Sequence, residues 1–357
     1  MINTKTRVAV IGTGEIGTKA HIPAYVKNKD VDLVALVDAD QSKLESAAKK
    51  FGVKNQYTSV DELFEKQQID AISICTPPNS HAQIALTAFE HNAHVLCEKP
   101  LATKTEDGKR MYEASLKKEK LLMVGFNLRF QPNYKKAYDI IESGQLGHIY
   151  LIECNNLSAN PLLLWSKSPW FFKAESGGGV LADKGPHVFD LLNYAFNDYP
   201  KSVSALASTF YDSPVEDFCV CTLEYGQNQI GIAKMGWVAS NYLEGYTIHG
   251  TSQTLFAIPE MLLKLNATEI PEVPLWKKTT VNLFNMKFPD LPGRHIPKVD
   301  LFQSEIDDFI NKVRVGTKYS NSILDGLNAL ITYEAAKKSI EQGQKIAITP
   351  IRGPSSS

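Results

Sequence analysis

The apolar, β-branched run Val8-Ala9-Val10-Ile11 breaks into Gly12-Thr13-Gly14-Glu15-Ile16-Gly17 and then into an amphipathic stretch. A Gly-x-Gly-x-x-Gly turn set between a strand and a helix is compatible with few folds. Gly12 permits the tight turn, Gly14 lets the backbone approach a pyrophosphate, and Gly17 lets the helix pack close to the sheet. The helix N-terminus adds free N–H groups and a partial positive charge for the phosphates. Gly12, Thr13, Gly14, Glu15 and Ile16 are thereby candidate dinucleotide contacts. Asp38 closes the next apolar run, 21 residues beyond Gly17, where a carboxylate accepts hydrogen bonds from the adenosine ribose. A solvated strand-end aspartate is the alternative at that position. No arginine follows Asp38, and a carboxylate about 4 Å from a 2′-phosphate would be repelled by roughly 4 kcal/mol per charge pair at an effective dielectric near 20. The expected cofactor is therefore NAD rather than NADP.

Around this turn the chain alternates in the manner of βαβ units. Strand-like runs at 8–12, 33–38, 71–75, 94–97 and 121–125 are separated by helical patterns at 16–27, 41–51, 60–66, 80–91 and 105–119, which predicts a doubly wound parallel sheet over residues 1–125. After a further helix at 133–143 the pattern changes to alternating or apolar runs at 149–155, 202–210, 218–225, 229–238, 246–250 and 254–258. That pattern predicts a second α+β domain, residues 126–350, built on a large, mainly antiparallel open sheet. The Pro- and Lys-rich stretch 259–299 is expected on loops or sheet edges, and helices are expected at 301–313 and 322–342, stopped by Gly343. Residues 351–357 read as a loose tail.

Charge narrows the partners. Lys plus Arg number 38 against 39 Asp plus Glu, a formal net charge of −1, which leaves no electrostatic footprint for nucleic acid or anionic membranes. Cys75, Cys97, Cys154, Cys219 and Cys221 follow no metal-ligand spacing and sit in apolar surroundings, so no metal is expected and buried free thiols in a reducing compartment are. No signal peptide or membrane-length apolar run is seen, and the cytoplasm is the expected location.

Further motifs carry chemistry: Cys75-Thr76-Pro77-Pro78-Asn79-Ser80-His81, Cys97-Glu98-Lys99-Pro100, Gly125-Phe126-Asn127-Leu128-Arg129-Phe130, and Gly177-Gly178-Gly179-Val180-Leu181-Ala182-Asp183-Lys184-Gly185-Pro186-His187-Val188-Phe189-Asp190. With these in order, and Asp325-Gly326-Leu327 opening the last helix, the chain resembles the glucose–fructose oxidoreductase / inositol 2-dehydrogenase / rhizopine catabolism (Gfo/Idh/MocA) family over nearly its whole length. The resemblance implies NAD(P)-linked oxidation or reduction at one carbon of a sugar, cyclitol or related polyol, and an open C-terminal sheet that forms a homodimer or homotetramer interface. It implies that Lys99, Asp183 and His187 are the catalytic lysine, aspartate and histidine, with a cis Lys99–Pro100 bond. By the same matching, Thr76, Pro77, Asn79 and His81 border the nicotinamide ribose, and Glu98 and Asn127 are further cofactor-side positions.

The chemistry of these residues can also be derived directly. Oxidising a secondary alcohol needs a base for the hydroxyl proton and a cation to steady the developing alkoxide. His187 has a carboxylate four residues earlier, and Lys99 follows a parallel strand, where doubly wound sheets place their ligands. Pro186 suits a first helical position, which would put His187 in the first turn, where the dipole lowers its pKa while Asp183 orients the ring. Trp165 and Trp170, in the aromatic stretch before the triple glycine, are candidate sugar-stacking residues or simply a packed loop. Arg129, Asn156 and Asn193 are candidates for hydroxyl recognition. A same-fold enzyme acting on a nucleotide-linked or amino sugar, an imine or an aromatic diol, and a non-catalytic cofactor-binding sensor, remain alternatives.

Overall fold

A computed structural model describes residues 5–158, 172, 178–210, 214–240, 242–259, 261–266 and 299–353. Six strands, β1 Thr6–Ile11, β2 Val31–Val37, β3 Asn55–Tyr57, β4 Ala71–Ile74, β5 His94–Cys97 and β6 Leu122–Val124, form one sheet in the order β3-β2-β1-β4-β5-β6. Every pair in it is parallel. The connecting helices are α1 Ile22–Lys27, entered through a π-helical turn Gly17–His21, then α2 Gln41–Phe51, α3 Val60–Lys66, α4 His81–Glu90 and α5 Thr105–Lys117. Local chemistry sets their ends. The Asp40 side chain accepts from Ser42 N and Lys43 N at the start of α2, and Gly52 ends it in the left-handed region.

The strand order reverses between β1 and β4, so the loops leaving these two strands flank the crevice where such sheets bind ligands. Contact there is intimate. A Cβ on Gly17 would lie 2.1 Å from the Gly12 carbonyl oxygen, and one on Gly12 would meet the Cys75 carbonyl at 2.7 Å.

The second sheet has eight strands: β7 Ile149–Leu157, β8 Ser202–Ser208, β9 Phe218–Glu224, β10 Ile230–Gly236, β11 Leu243–Gly250, β12 Gln253–Ile258, β13 Met261–Asn266 and β14 Ile346–Ala347. Their order is β13-β12-β11-β7-β10-β9-β8-β14, antiparallel except for the central pair β7 and β10. After α6 Pro132–Glu142, helix α7 Val180–Phe196 packs on β7 and β10, and α9 Asn321–Gln342 packs on α7 and β8. Helix α8 Leu301–Arg314 instead returns to the first sheet, placing Ile306, Phe309 and Ile310 in a core shared with Val8, Val10, Tyr25 and Leu36. Within the 259–299 stretch β13 is indeed a sheet edge, and most of the remainder lies outside the described residues. Strands β3 and β14, only three and two residues long, were not anticipated, because such lengths carry no periodicity.

Gly17→Ala should lower the melting temperature by more than about 5 °C, since the added methyl meets backbone. Gly14→Ala should leave it unchanged, because a Cβ there has nothing within 4 Å. Thermal denaturation of both variants checks the pair.

Candidate active site

Helix α7 begins at Val180, not at Pro186, and His187 therefore sits beyond its second turn rather than in its first. The start is fixed by the loop before β9. Glu216 O accepts from Val180 N at 3.0 Å and Glu216 Oε1 from Leu181 N at 3.1 Å, and Gly179, at φ 108°, leaves room for that carboxylate. Asp183 is then the first-turn acid, favourable to the dipole. Pro186 stands inside the helix and has no N–H for the Ala182 carbonyl.

Lys99 Nζ donates to Asp183 O at 3.0 Å and to Asp183 Oδ1 at 3.2 Å, bridging the end of β5 to α7. The Trp237 indole donates to the other carboxylate oxygen, Asp183 Oδ2, at 3.1 Å. Asp183 and His187 are four apart and share a helix face. Burial opposes ionisation of Asp183, yet Lys99 and Lys184, with the indole and ammonium donors, hold its carboxyl below the usual range. Burial first, and then the Lys99 cation, push His187 down to about 3. The imidazole is neutral at neutral pH for that reason and not, as the sequence suggested, through the helix dipole. Its Nδ1 is buried without a hydrogen-bond partner, and Phe126 approaches the ring edge-on at 6.5 Å. The Lys99–Pro100 bond is cis.

Lys184, to which the sequence motif assigns no role, is buried and donates to Asn156 O, Ser158 Oγ and Gly236 O at 3.2, 2.7 and 2.9 Å. It thus ties the ends of β7 and β10 together, and burial lowers it to about 8. Trp237 was also missed. The signals available were the one lysine of a largely apolar helical run and a tryptophan near the end of the strand-like run 229–238.

Arg129 is placed differently from the expected role in hydroxyl recognition. Its Nε donates to Asp190 Oδ2 at 2.9 Å and its Nη2 to Asp325 Oδ2 at 2.7 Å, with Tyr194 stacked 4.5 Å away. A bidentate guanidinium held between two carboxylates and an aromatic face braces α7 against α9. Asn193 Oδ1 accepts from the Tyr225 hydroxyl while its Nδ2 has no partner, and Asn156 offers its backbone carbonyl to Lys184. Trp165 and Trp170 lie outside the described residues.

On the cofactor side, Asp38 Oδ2 accepts from Thr13 N at 2.7 Å and from Thr13 Oγ1 at 2.9 Å, fixing the carboxylate beside the glycine turn with lone pairs to spare. Gly14 faces open space, so its lack of a side chain answers to something other than protein packing. The buried Asn127 Oδ1 has no partner, and Pro77 and Asn79 are exposed around the turn after β4. These features fit a dinucleotide. Glu15 is exposed and pairs with Lys19, and Ile16 packs on the adjoining core. Thr76 Oγ1 is 2.7 Å from Ser80 Oγ, while His81 is buried with its ring nitrogens against Pro100 O and Thr76 O, so it braces the loop from within. All five cysteines are buried and free, and Cys219 and Cys221 share a strand face with sulfurs 3.8 Å apart. Among the described residues no helix is long and apolar enough to cross a membrane.

A parallel sheet with a glycine turn and an acidic strand end, joined to an open sheet whose helix meets a lysine from the first, defines a dinucleotide-dependent oxidoreductase. Residues 6–126 match the oxidoreductase family, NAD-binding Rossmann fold, of the Gfo/Idh/MocA group, and residues 134–256 match the Gfo/Idh/MocA C-terminal domain. The chain belongs to this family. It is 27% identical to the myo-inositol 2-dehydrogenase of Thermotoga maritima over 97% of this chain and 100% of that protein. It is 26% identical to the inositol 2-dehydrogenase of Rhizobium meliloti over 96% and 99% of the two chains. The structure of the WlbA dehydrogenase of Bordetella pertussis, in complex with NADH and UDP-GlcNAcA, shares the fold with a TM-score of 0.80 at 23% identity, covering 97% of this chain and 99% of that one.

Because the unfolded chain protonates His187 near 6.5 and the folded chain only near 3, acid favours unfolding. The stability cost should grow as pH falls from about 6.5 to about 3, reaching about 4 kcal/mol. Urea unfolding at stepped pH should show wild type losing stability over this window more steeply than His187→Gln. Parallel curves would mean that His187 is not held neutral by the fold.

Proposed function

We propose that this protein oxidises a secondary hydroxyl of a sugar, cyclitol or related polyol, or reduces the corresponding ketone, with NAD. The observation that carries the reading is that Lys99, from the cofactor-binding half, bonds Asp183 on the helix of the other half that carries His187 one turn on, near enough for both charges to act on the imidazole. The two inositol 2-dehydrogenases, matched over their full lengths, support a polyhydroxylated substrate.

When bound, the nicotinamide supplies the hydride acceptor. The rest is work for the chain's own groups. Neutral His187 takes the hydroxyl proton. Its low basicity requires help, and Lys99 provides it: an ammonium has three donors, two of them engaged by Asp183, and the third can meet the substrate oxygen as negative charge develops. Asp183 holds Lys99 in place and offsets its repulsion of a protonated His187. In the reverse direction the imidazolium returns the proton to the alkoxide. Asp38, fixed by Thr13, disfavours a 2′-phosphate and supports NAD over NADP.

In this reading the cofactor lies mainly on residues 1–125 and the acid/base on 126–350, with Lys99 reaching across from the first part. The sheet face opposite α7 and α9 leaves Leu206 78% exposed and Ile230 42% exposed, which supports a homodimer or homotetramer built through this face. Five buried, unpaired thiols are consistent with a reducing cytoplasm.

His187→Ala should reduce turnover by roughly 10²–10⁴ with NADH affinity retained, read by steady-state rates and NADH fluorescence titration. Unchanged turnover would remove His187 from the mechanism. Asp38→Ala should narrow the preference for NAD over NADP by at least about tenfold in kcat/KM. The substrate class is settled by following NADH absorbance over inositols, aldoses and amino sugars. Inhibition by UDP, with no free polyol oxidised, would favour a nucleotide-linked sugar, and NADH binding without any turnover would favour a sensor.

A further inference from the structure

A second buried polar cluster lies behind Lys99, and the chemistry above does not use it. From the Tyr25 hydroxyl a hydrogen-bonded chain runs to Ser73 Oγ at 2.6 Å, on to His21 Nδ1 at 3.1 Å, and from His21 Nε2 to Glu98 Oε1 at 2.9 Å. Glu98 Oε2 then accepts from the backbone N–H of Lys99 at 3.2 Å. Helix α8 adds Glu305 to this cluster from the far end of the chain. Glu305 is 0% exposed, and neither of its carboxylate oxygens has a hydrogen-bond partner. One of those oxygens, a nitrogen of His21 and an oxygen of Glu98 all lie within 4.8 Å of one another.

Two carboxylates this close, away from water, cannot both be ionised. Glu98 is the one equipped to carry charge, since it accepts from His21 and from the Lys99 N–H and lies near the Lys99 cation. Glu305 has no donor. Around it stand His21 and Tyr25 from the π turn and α1, Cys75 after β4, Glu98 after β5, Asp308 on its own helix, and Arg129 with Asp190 farther off. Burial and then the neighbouring carboxylates drive its carboxyl well above the usual range, with only Arg129 opposing. A protonated carboxyl has an O–H to offer Glu98, whereas a second carboxylate has none.

We propose that Glu305 is a positioning residue, a neutral carboxylic acid that packs against Glu98 and His21, keeps a single negative charge in the pocket and fixes the carboxylate on which the Lys99 backbone rests. Through that contact α8 sets Lys99 against Asp183. The proposal about rate rests on Lys99 acting in the chemistry, while the protonation of Glu305 does not. Infrared difference spectra of wild type against Glu305→Gln at neutral pH should show the carbonyl stretch of a protonated carboxylic acid in wild type only. Its absence, or a stoichiometric divalent metal in the purified protein by elemental analysis, overturns the assignment, whether or not any polyol is turned over. In kinetics Glu305→Gln, which keeps shape and neutrality, should stay within about threefold of wild-type kcat. Glu305→Ala, folded by circular dichroism, should lose about tenfold in kcat with KM for NAD little changed. Equal damage in both variants, or full kcat in Glu305→Ala, overturns the positioning role.

Discussion

The contact between Lys99 Nζ and the backbone and side-chain oxygens of Asp183 organises the site. It spans 84 residues of sequence and joins the end of a parallel strand to a helix of the other sheet. Burial alone would oppose the charge on Asp183, and the Lys99 ammonium is the largest influence that keeps its carboxyl below the usual range. The Lys99 cation held there adds to burial, the larger cause, in keeping His187 neutral. The charge state of the candidate base is thus a consequence of tertiary packing and not of its own helix.

The parallel sheet and the glycine turn were legible in the sequence because their signals are local. Gly12 and Gly17 answer to a clash measurable within a few ångströms, and the apolar runs of β1, β4 and β5 announce strands covered on both faces. The start of α7 was not legible for a complementary reason. Its cap comes from Glu216, more than thirty residues downstream, so Pro186, a strong local signal, pointed to the wrong end of the helix. A proline in a helix interior usually weakens it. Here the helix runs through Pro186 and carries Asp183 to Lys99, so tertiary structure overrides propensity at a functional place.

Arg129 shows the same limit. From sequence it is a polar candidate for hydroxyl recognition. Its two carboxylate partners stand 61 and 196 residues away, and no local pattern announces such a network. Lys184 was passed over for the opposite reason, because lysine is usually solvated and nothing adjacent to it in sequence reveals the three oxygens it finds at the ends of β7 and β10. Long-range polar pairings are where a reading from sequence runs out, because they depend on which strand ends the fold brings together.

The charges at the centre form an alternating set: Glu98 and Asp183 negative, Lys99 and Lys184 positive, with His187 neutral between them. Such a set is near balance before any ligand arrives. An alkoxide forming beside Lys99 therefore adds an uncompensated negative charge, while a proton moving onto His187 adds a positive one. Each change alone is resisted by the low-dielectric surroundings, and the two together are not. The arrangement favours transferring the proton in step with the development of charge on oxygen.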